Sequence, residues 1–130
     1  MPTTLNKKYL LGRQLGTGAS CKVRLAKSVD GSKRYAAKIF KRDICIDEIL
    51  STELKTMARL KHPGILNLVD QGTGLQENPK KGSKEVTYII LELAEGGELF
   101  DIIAFCGGYA EPLARYQGKQ FLETLRFMHN

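Results

Sequence analysis

A Gly-x-Gly turn between two extended segments constrains this chain more than any other feature. The stretch Leu11–Leu25 places Gly16 and Gly18 before a segment in which basic and apolar residues alternate. Alternation with a period of two predicts a half-buried strand. Glycine lacks a Cβ, so its backbone can take a positive φ and lie close against a ligand. The stretch therefore predicts either an ordinary hairpin turn or a turn whose N–H groups cradle a phosphate.

Two other phosphate-binding motifs do not fit this context. A dinucleotide-binding loop opens a helix, whereas a strand pattern follows Gly18. The P-loop is absent because Gly-Lys-Ser and Gly-Lys-Thr occur nowhere in the 130 residues. The cysteines Cys21, Cys45 and Cys106 are widely spaced and the two histidines are isolated. Neither a disulfide framework nor a metal site is indicated.

Length and composition favour a soluble protein with a packed core. A chain of 130 residues with 42% hydrophobic residues can form one domain, or one and part of another. No apolar run approaches the ~18 residues of a membrane-spanning helix. Residues 1–10 lack the apolar core of a signal peptide. We therefore expect a cytoplasmic location and no membrane partner.

The formal net charge of +6 is unevenly distributed along the chain. Residues 1–91 carry 17 Lys/Arg against 8 Asp/Glu, and residues 92–130 carry 3 against 6. The densest basic cluster, Lys80, Lys81 and Lys84, lies in a segment that contains Gly and Pro and has no interleaved aromatic residues. Solvated charge is therefore favoured over a nucleic-acid partner, which stays as a remote alternative.

The remaining patterns predict an α+β protein with an antiparallel sheet. Strands are predicted at Tyr9–Leu15, Lys22–Lys27, Arg34–Phe40, Ile65–Val69 and Val86–Leu93, and helices at Ile44–Lys61, Glu98–Phe105 and Pro112–His129. Residues 1–8 are predicted to be a flexible leader, and Gln71–Glu85 a long exposed loop. A Gly-containing connector at residues 92–97 is the predicted boundary between residues 9–91 and 98–130.

Two charged residues stand where apolar side chains are expected. Lys38 lies amid apolar neighbours in the third strand, and Glu53 lies on the apolar stripe of the first helix. Each alone has a simple explanation, an edge lysine or a fringe glutamate that faces water. A carboxylate on a packed helix face requires a cationic partner, and Lys38 is the nearest candidate. The sequence therefore predicts an ion pair between them.

Taken together, this order of features resembles the N-terminal lobe of a eukaryotic protein kinase. The shared features are a Gly-rich turn between the first two of five strands, a strand lysine, an inserted helix with a glutamate, and a Gly-Gly hinge. The phrase Leu91–Phe100 is similar to the hinge of serine/threonine kinases of the calcium/calmodulin-dependent type. The resemblance implies an ATP-binding N-lobe at 9–91, a hinge at 92–97 and two helices of an incomplete helical C-lobe at 98–130.

The resemblance also implies a role for individual residues. The glycine-rich loop over the ATP phosphates would consist of Leu15, Gly16, Thr17, Gly18, Ala19, Ser20, Cys21, Lys22 and Val23. Leu15, Val23 and Ala36 would enclose the adenine, and Lys38 would bind the α- and β-phosphates while Glu53 orients it. Leu91 would be the gatekeeper, the backbone of Glu92 and Ala94 would meet the adenine edge, and Glu98 would approach the ribose. Met57 and Leu68 would belong to the hydrophobic column between the lobes.

Three departures from the family pattern matter. Cys21 stands where the third glycine of the loop is usual, which is either a tolerated substitution or a redox-sensitive thiol. Gly64 replaces a more usual asparagine after His62 and Pro63. The family's catalytic-loop Asp and its two Mg²⁺ ligands do not occur in the 130 residues, so no catalytic residue or metal site is assigned.

The complete kinase would use Mg²⁺ and ATP to phosphorylate a protein substrate, whereas we expect this chain alone to be inactive. The alternative is a non-catalytic module that binds a nucleotide or a partner. Because its last helix is apolar on a broad face, we expect exposure of Phe121, Leu122, Leu125 and Met128 and self-association through that helix.

Overall fold

The structure is a computed structural model that describes residues 2–19, 21–40 and 46–130, without the side chains of residues 46–50. The described elements are β1 (Thr3–Leu5), β2 (Tyr9–Thr17), β3 (Cys21–Ser28), β4 (Arg34–Phe40), α1 (Ile46–Arg59), β5 (Leu68–Asn78), β6 (Gly82–Glu92), α2 (Leu99–Cys106) and α3 (Glu111–His129). The chain forms two compact units. Unit 1 contains Met1–Arg59 and Asn67–Leu93, and unit 2 contains Leu60–Leu66 and Ala94–Asn130.

Unit 1 is an antiparallel barrel with α1 inserted between β4 and β5. The strand order is β1-β2-β3-β4-β6-β5, and β1 closes the barrel by pairing with both β2 and β5. Lys38 in β4 lies directly opposite Val23 in β3 and Ile89 in β6. Because side chains alternate along each strand, these three residues share one face of the sheet, and their neighbours in sequence share the other.

The inner face of the barrel holds the main core. Its buried residues are Leu5, Tyr9, Leu11, Ala26, Ala37, Ile39, Val86, Tyr88 and Ile90. The Tyr9 ring meets Tyr35 and Tyr88 edge to face, with centroids 6.0 and 6.5 Å apart. The Tyr9 hydroxyl donates a 2.7 Å hydrogen bond to Oδ2 of Asp70. Burial, and then this carboxylate, raise the pKa of Tyr9 well above its usual value.

The prediction of five strands was wrong, because the sheet has six. Residues 1–8 were expected to be a flexible leader, but Thr3–Leu5 form β1 and the Leu5 side chain is completely buried. Thr4 pairs with Leu10 in β2 and with Glu77 in β5. A three-residue strand has too few residues for an alternation pattern, and its partners are distant in sequence, so local propensity could not reveal it.

The segment predicted as a loop at Gln71–Glu85 is instead a long hairpin. It forms most of β5 and the first residues of β6, with ten paired positions from Leu68↔Leu91 to Asn78↔Gly82. Gly72 faces the barrel interior, where an added Cβ would lie 3.4 Å from the Tyr88 hydroxyl. Glycines and polar residues at the inner positions of β5 hide the hydrophobic alternation on which the prediction relied.

Unit 2 consists mainly of two helices. The prediction of helices at Glu98–Phe105 and Pro112–His129 agrees with α2 and α3, and Pro112 lies in the first turn of α3 as expected. The rings of His62 and of Phe127 in α3 are in contact, with centroids 4.9 Å apart and planes tilted by 34°. Phe121, Leu122 and Met128 are 67%, 62% and 47% exposed, as predicted, whereas Leu125 is half-buried. No helix in the described residues is both long and apolar enough to cross a membrane.

Candidate functional site

The Gly-rich turn forms the tip of the β2–β3 hairpin. β2 ends at Thr17 and β3 begins at Cys21, and the Gly18 N–H donates to the Cys21 carbonyl oxygen at 2.8 Å. Gly16 lies opposite Val23 in the register. The turn is therefore a short, closed hairpin connection, and Ser20 within it lies outside the described residues.

The protein's own packing does not require a glycine at position 16. Neither Gly16 nor Gly18 has a φ in the left-handed region, so the positive φ that glycine permits is not used here. A Cβ added at Gly16 would meet no heavy atom within 4 Å, and one at Gly18 would be in ordinary contact with Cys21 at 3.7 Å. The space beside the Gly16 backbone is therefore open, as close approach by a ligand requires.

Lys38 and Glu53 form the predicted ion pair. Nζ of Lys38 donates to Oε1 of Glu53 at 2.6 Å, and each side chain is 25% exposed. The Lys38 ammonium also lies 5.7 Å from the centroid of the Phe40 ring, on the same face of β4. An ammonium has three N–H donors. One donates to Glu53, so two remain for a further acceptor.

The sheet face around Lys38 is apolar. Ala36 of β4 lies opposite Leu25 of β3 and Leu91 of β6, one row along from Lys38. On this face Cys21, Phe40 and Ile89 form a buried cluster, against which Leu54, Leu68 and Leu91 pack. The arrangement therefore places one partly exposed cation at the margin of an apolar surface.

Cys21 and Lys22 point to opposite faces of the sheet. Cys21 is 5% exposed and belongs to the apolar cluster, so the thiol is sheltered from solvent. A redox-sensitive thiol is expected to be accessible, and the burial of Cys21 favours the tolerated substitution. Lys22 lies opposite Ile39, on the inner face of the barrel.

The remaining predicted site residues divide between the two units. In unit 1, Leu15, Thr17 and Ala19 are exposed, with Leu15 37% exposed. The Glu92 carboxylate accepts from the Asn67 backbone N–H at 3.1 Å. Ala94 and Glu98 are exposed members of unit 2, and the Glu98 carbonyl accepts the first backbone bond of α2 from Ile102 at 3.2 Å.

Leu54 was missed in the sequence-based interpretation of α1. It packs against the apolar cluster, whereas Met57, which the resemblance assigned to the hydrophobic column, is half-buried and lies outside that cluster. Leu54 stands four residues after Leu50 and three before Met57, which is the spacing of one helix face. That spacing could have identified it.

The described residues contain no cluster of three or more His, Cys, Asp or Glu side chains that could hold a metal ion. The chemistry of the site rests on one ammonium with unused donors, one carboxylate and an apolar surface. Such a set can bind and orient an anion that carries an apolar group.

Comparison with known proteins identifies the family. The protein kinase domain family matches residues 9–130. Calcium/calmodulin-dependent protein kinase type 1 of Caenorhabditis elegans is 37% identical over 136 aligned positions, which cover 98% of this chain and 35% of that protein. CBL-interacting protein kinase 21 of Oryza sativa subsp. japonica is 35% identical over 126 positions, which cover 94% of this chain and 22% of the relative.

A solved structure gives the same result. The crystal structure of Rad53 1-466 in complex with AMP-PNP superposes with a TM-score of 0.75 and 26% identity, and the match covers 94% of this chain and 31% of that one. The chain thus spans roughly a fifth to a third of the length of these relatives. Because the family match extends over residues 9–130, the protein belongs to the eukaryotic protein kinase family, of which it contains the N-terminal portion of the kinase domain.

Proposed function

We propose that this chain is the ATP-binding portion of a serine/threonine protein kinase. When complete, the kinase would transfer the γ-phosphoryl group of ATP to hydroxyl groups of a protein substrate. The single observation that carries the proposal is the 2.6 Å ion pair between Lys38 and Glu53. Relatives that are serine/threonine kinases and a structural neighbour solved with AMP-PNP support it.

The ion pair gives Lys38 a fixed position without using up its donors. Glu53 is held on α1, so its carboxylate restricts a long, flexible side chain to one direction. Two N–H groups of Lys38 stay available for the α- and β-phosphate oxygens. At 25% exposure the ammonium is partly shielded from water, which strengthens its attraction to a phosphate relative to a surface lysine.

The adenine ring would occupy the apolar face next to Lys38. Val23 and Ala36 lie in adjacent rows of that face, and Leu91 lies opposite Ala36, where it would act as the gatekeeper. In the proposed complex the backbone carbonyl of Glu92 would bond the adenine edge, and the roles of Ala94 and Glu98 stay predictions from the family resemblance. Mg²⁺ would join only in the complete kinase, because the family's metal-binding motifs do not occur in the 130 residues.

Nucleotide titration of the purified chain tests this proposal directly. Isothermal calorimetry with AMP-PNP should show binding that depends little on added Mg²⁺. Lys38→Met should weaken it about tenfold or more, because a charge-assisted hydrogen bond contributes about 1.5–3 kcal/mol. Glu53→Gln should weaken it less, since the amide keeps an oxygen that can still accept from Lys38.

A matched control distinguishes loss of the Lys38 contact from the loss of one positive charge anywhere on the protein. Lys27→Met removes an exposed lysine of β3 and should leave AMP-PNP binding within about twofold of the original chain. Equal losses in Lys38→Met and Lys27→Met would contradict the proposed site. Strong Mg²⁺ dependence would show that other residues hold the nucleotide.

The alternative of a non-catalytic module differs from this proposal in one measurable respect. A module that binds only a partner protein would show no AMP-PNP binding while remaining folded by circular dichroism. For the chain itself, a cytoplasmic location and self-association through α3 both stay predictions from the sequence.

A further inference from the structure

A cavity of about 790 Å³ lies within unit 1, at one open end of the barrel. It is lined by residues of β2, β3 and β4 and by the β5–β6 hairpin. Of the described residues expected to contact ATP, only Lys22 lines it, and Lys22 points to the inner face of the sheet. The volume is in the range of sites that bind small molecules or short peptide segments. This cavity is therefore separate from the proposed ATP site.

The walls of the cavity are strongly basic. Among the described residues of the lining, five cations against the single carboxylate of Glu85 give a formal net charge of +4, the cations being Arg13, Lys22, Arg24, Lys81 and Lys84. Within the described part of the chain, none of the five has a carboxylate partner within 4.0 Å. The cavity therefore concentrates positive charge that the described carboxylates leave uncompensated.

Two of these cations stand where the barrel pattern would place core residues. Lys22 and Arg24 lie opposite Ile39 and Ala37, and so continue the inner face that Ala26 occupies further along β3. Nε and Nη2 of Arg24 donate to the Gly12 carbonyl oxygen at 3.0 and 2.8 Å, which leaves its Nη1 donors unused. Charged residues at inward positions keep this end of the barrel open to water instead of filled by core side chains.

The floor of the cavity is apolar. Ile39, Phe40 and Val86 line it and are 8%, 3% and 8% exposed. Phe40 is the only aromatic residue among the described residues of the lining, and at 3% exposure it offers little ring surface for a nucleobase to stack on. Basic walls over an apolar floor match a peptide in which carboxylates flank an apolar side chain.

We propose that this cavity, here called the barrel-mouth site, binds an acidic peptide segment of a partner protein. An apolar side chain of the peptide contacts Ile39 and Val86, and its flanking carboxylates pair with the lysines of the β5–β6 hairpin. The proposal does not depend on ATP binding, because neither Lys38 nor Glu53 lines the barrel-mouth site.

Fluorescence polarisation with a defined probe tests the proposal. The probe is a short fluorescein-labelled peptide in which glutamates flank a central Leu-Phe pair, and the neutral probe replaces every glutamate by glutamine. At low salt the full chain should bind the acidic probe at least about tenfold more tightly than the neutral one. The double variant Lys81→Glu/Lys84→Glu should lose about tenfold or more of this affinity.

A control variant with the same change in net charge isolates the site. Lys33→Glu/Lys80→Glu reverses two exposed lysines outside the cavity lining, one of them next to Lys81 in sequence. It should weaken probe binding less than about twofold. Equal losses in the two double variants would overturn the proposal, because attraction would then follow net charge alone.

Three further arms complete the test. Lys38→Met should bind the acidic probe as the original chain does, which distinguishes failure of this site from failure of the ATP site. A random DNA duplex that binds more tightly than the probe and is lost in Lys81→Glu/Lys84→Glu would assign the cavity to nucleic acid and overturn the peptide proposal. Inorganic tripolyphosphate that displaces the probe completely at equimolar concentration would likewise show that phosphate, and not a peptide, is the ligand.

Discussion

Replacement of Gly64 by alanine should destabilise unit 2 through a single steric contact. A Cβ at position 64 would overlap Oγ1 of Thr124 and would lie 3.1 Å from its Cβ and Cγ2. Thr124 belongs to α3, and Gly64 belongs to the segment between α1 and β5. The φ of Gly64 is not in the left-handed region, so the cost comes from packing and not from backbone strain.

Thr124 cannot move aside without further losses. A β-branched side chain has few χ1 rotamers in a helix, and Oγ1 of Thr124 donates to the Gln120 carbonyl oxygen at 3.0 Å. Rotation would break that bond and would still leave Thr124 Cβ too close. Overpacking of this kind costs about 1–3 kcal/mol, and the loss of unfolded-state entropy on replacing glycine offsets about 0.4–1 kcal/mol. We therefore expect Gly64→Ala to destabilise unit 2 by about 1–2 kcal/mol.

Native-state hydrogen exchange by mass spectrometry is the suitable assay, because it reports the opening free energy of α3 separately from that of the barrel. The α3 peptides of Gly64→Ala should exchange about 5–30 times faster than those of the original chain. The same change in exchange is expected for Gly64→Asn, whose Cβ would meet the same Thr124 atoms.

A pair of Thr124 variants decides whether the contact is the cause. Thr124→Ala removes Oγ1 and Cγ2 and should recover most of the loss in the Gly64→Ala background, with a coupling free energy of about 1–2 kcal/mol. Thr124→Ser keeps the hydroxyl and should recover little. Equal recovery by both variants, or unchanged α3 exchange in Gly64→Ala, would refute the reasoning.

Three further predictions follow from side chains elsewhere in the chain. Tyr9→Phe removes the 2.7 Å hydrogen bond to Asp70, so its free energy of unfolding in urea near pH 7 should fall by about 1 kcal/mol. Because the pKa of Tyr9 is raised in the folded state, the original chain should lose stability as the pH rises above ~10, and the variant should lose less. The Ser28 hydroxyl and nearby backbone lower the pKa of Asp30 to about 2, so stability present above pH ~4 should decline as the pH falls toward 2, and Asp30→Asn should flatten thermal melts over that window. Phe121 is 67% exposed on α3, and Phe121→Gln should reduce the apparent mass that light scattering reports as the concentration rises; unchanged scattering would contradict self-association through this helix.

The parts of the fold that sequence could predict are those with a local periodic signal. β4 was predicted with the same bounds as observed, Arg34–Phe40, because apolar residues dominate it on both faces. β6 was predicted from Val86 onward, where its apolar run begins, and its polar start at Gly82 was missed. β5 was predicted only near its first residues, because its inner positions include glycines. The space beside such a glycine is filled by the side chain of a neighbouring residue, as Tyr88 does beside Gly72. Periodicity therefore identifies strands that bury their own apolar side chains, such as β4. It misses a strand such as β5, whose inner positions carry glycines and polar residues.

The ion pair of the candidate site was predictable for a different reason. Glu53 and Lys38 each broke a local apolar pattern, and the desolvation cost of two isolated charges made a pairing between them the simplest solution. The 2.6 Å contact confirms that prediction. The barrel-mouth site had no such signal, since Lys81 and Lys84 are ordinary turn lysines in the sequence and their convergence with Arg24 arises from the pairing of β5 with β6 and closure of the barrel.

One register assigns the two proposed anion sites to opposite faces of the same strand. Val23 lies opposite Lys38 and faces the proposed ATP site, while Lys22 and Arg24 lie opposite Ile39 and Ala37 and face the barrel mouth. A slip of one residue between β3 and β4 would exchange these faces, which would bury two cations in the apolar cluster and expose Val23 to the basic cavity. The cost of burying unpaired charge makes that slip strongly unfavourable. The alternation of charged and apolar residues in β3 therefore specifies the register and keeps the two sites apart.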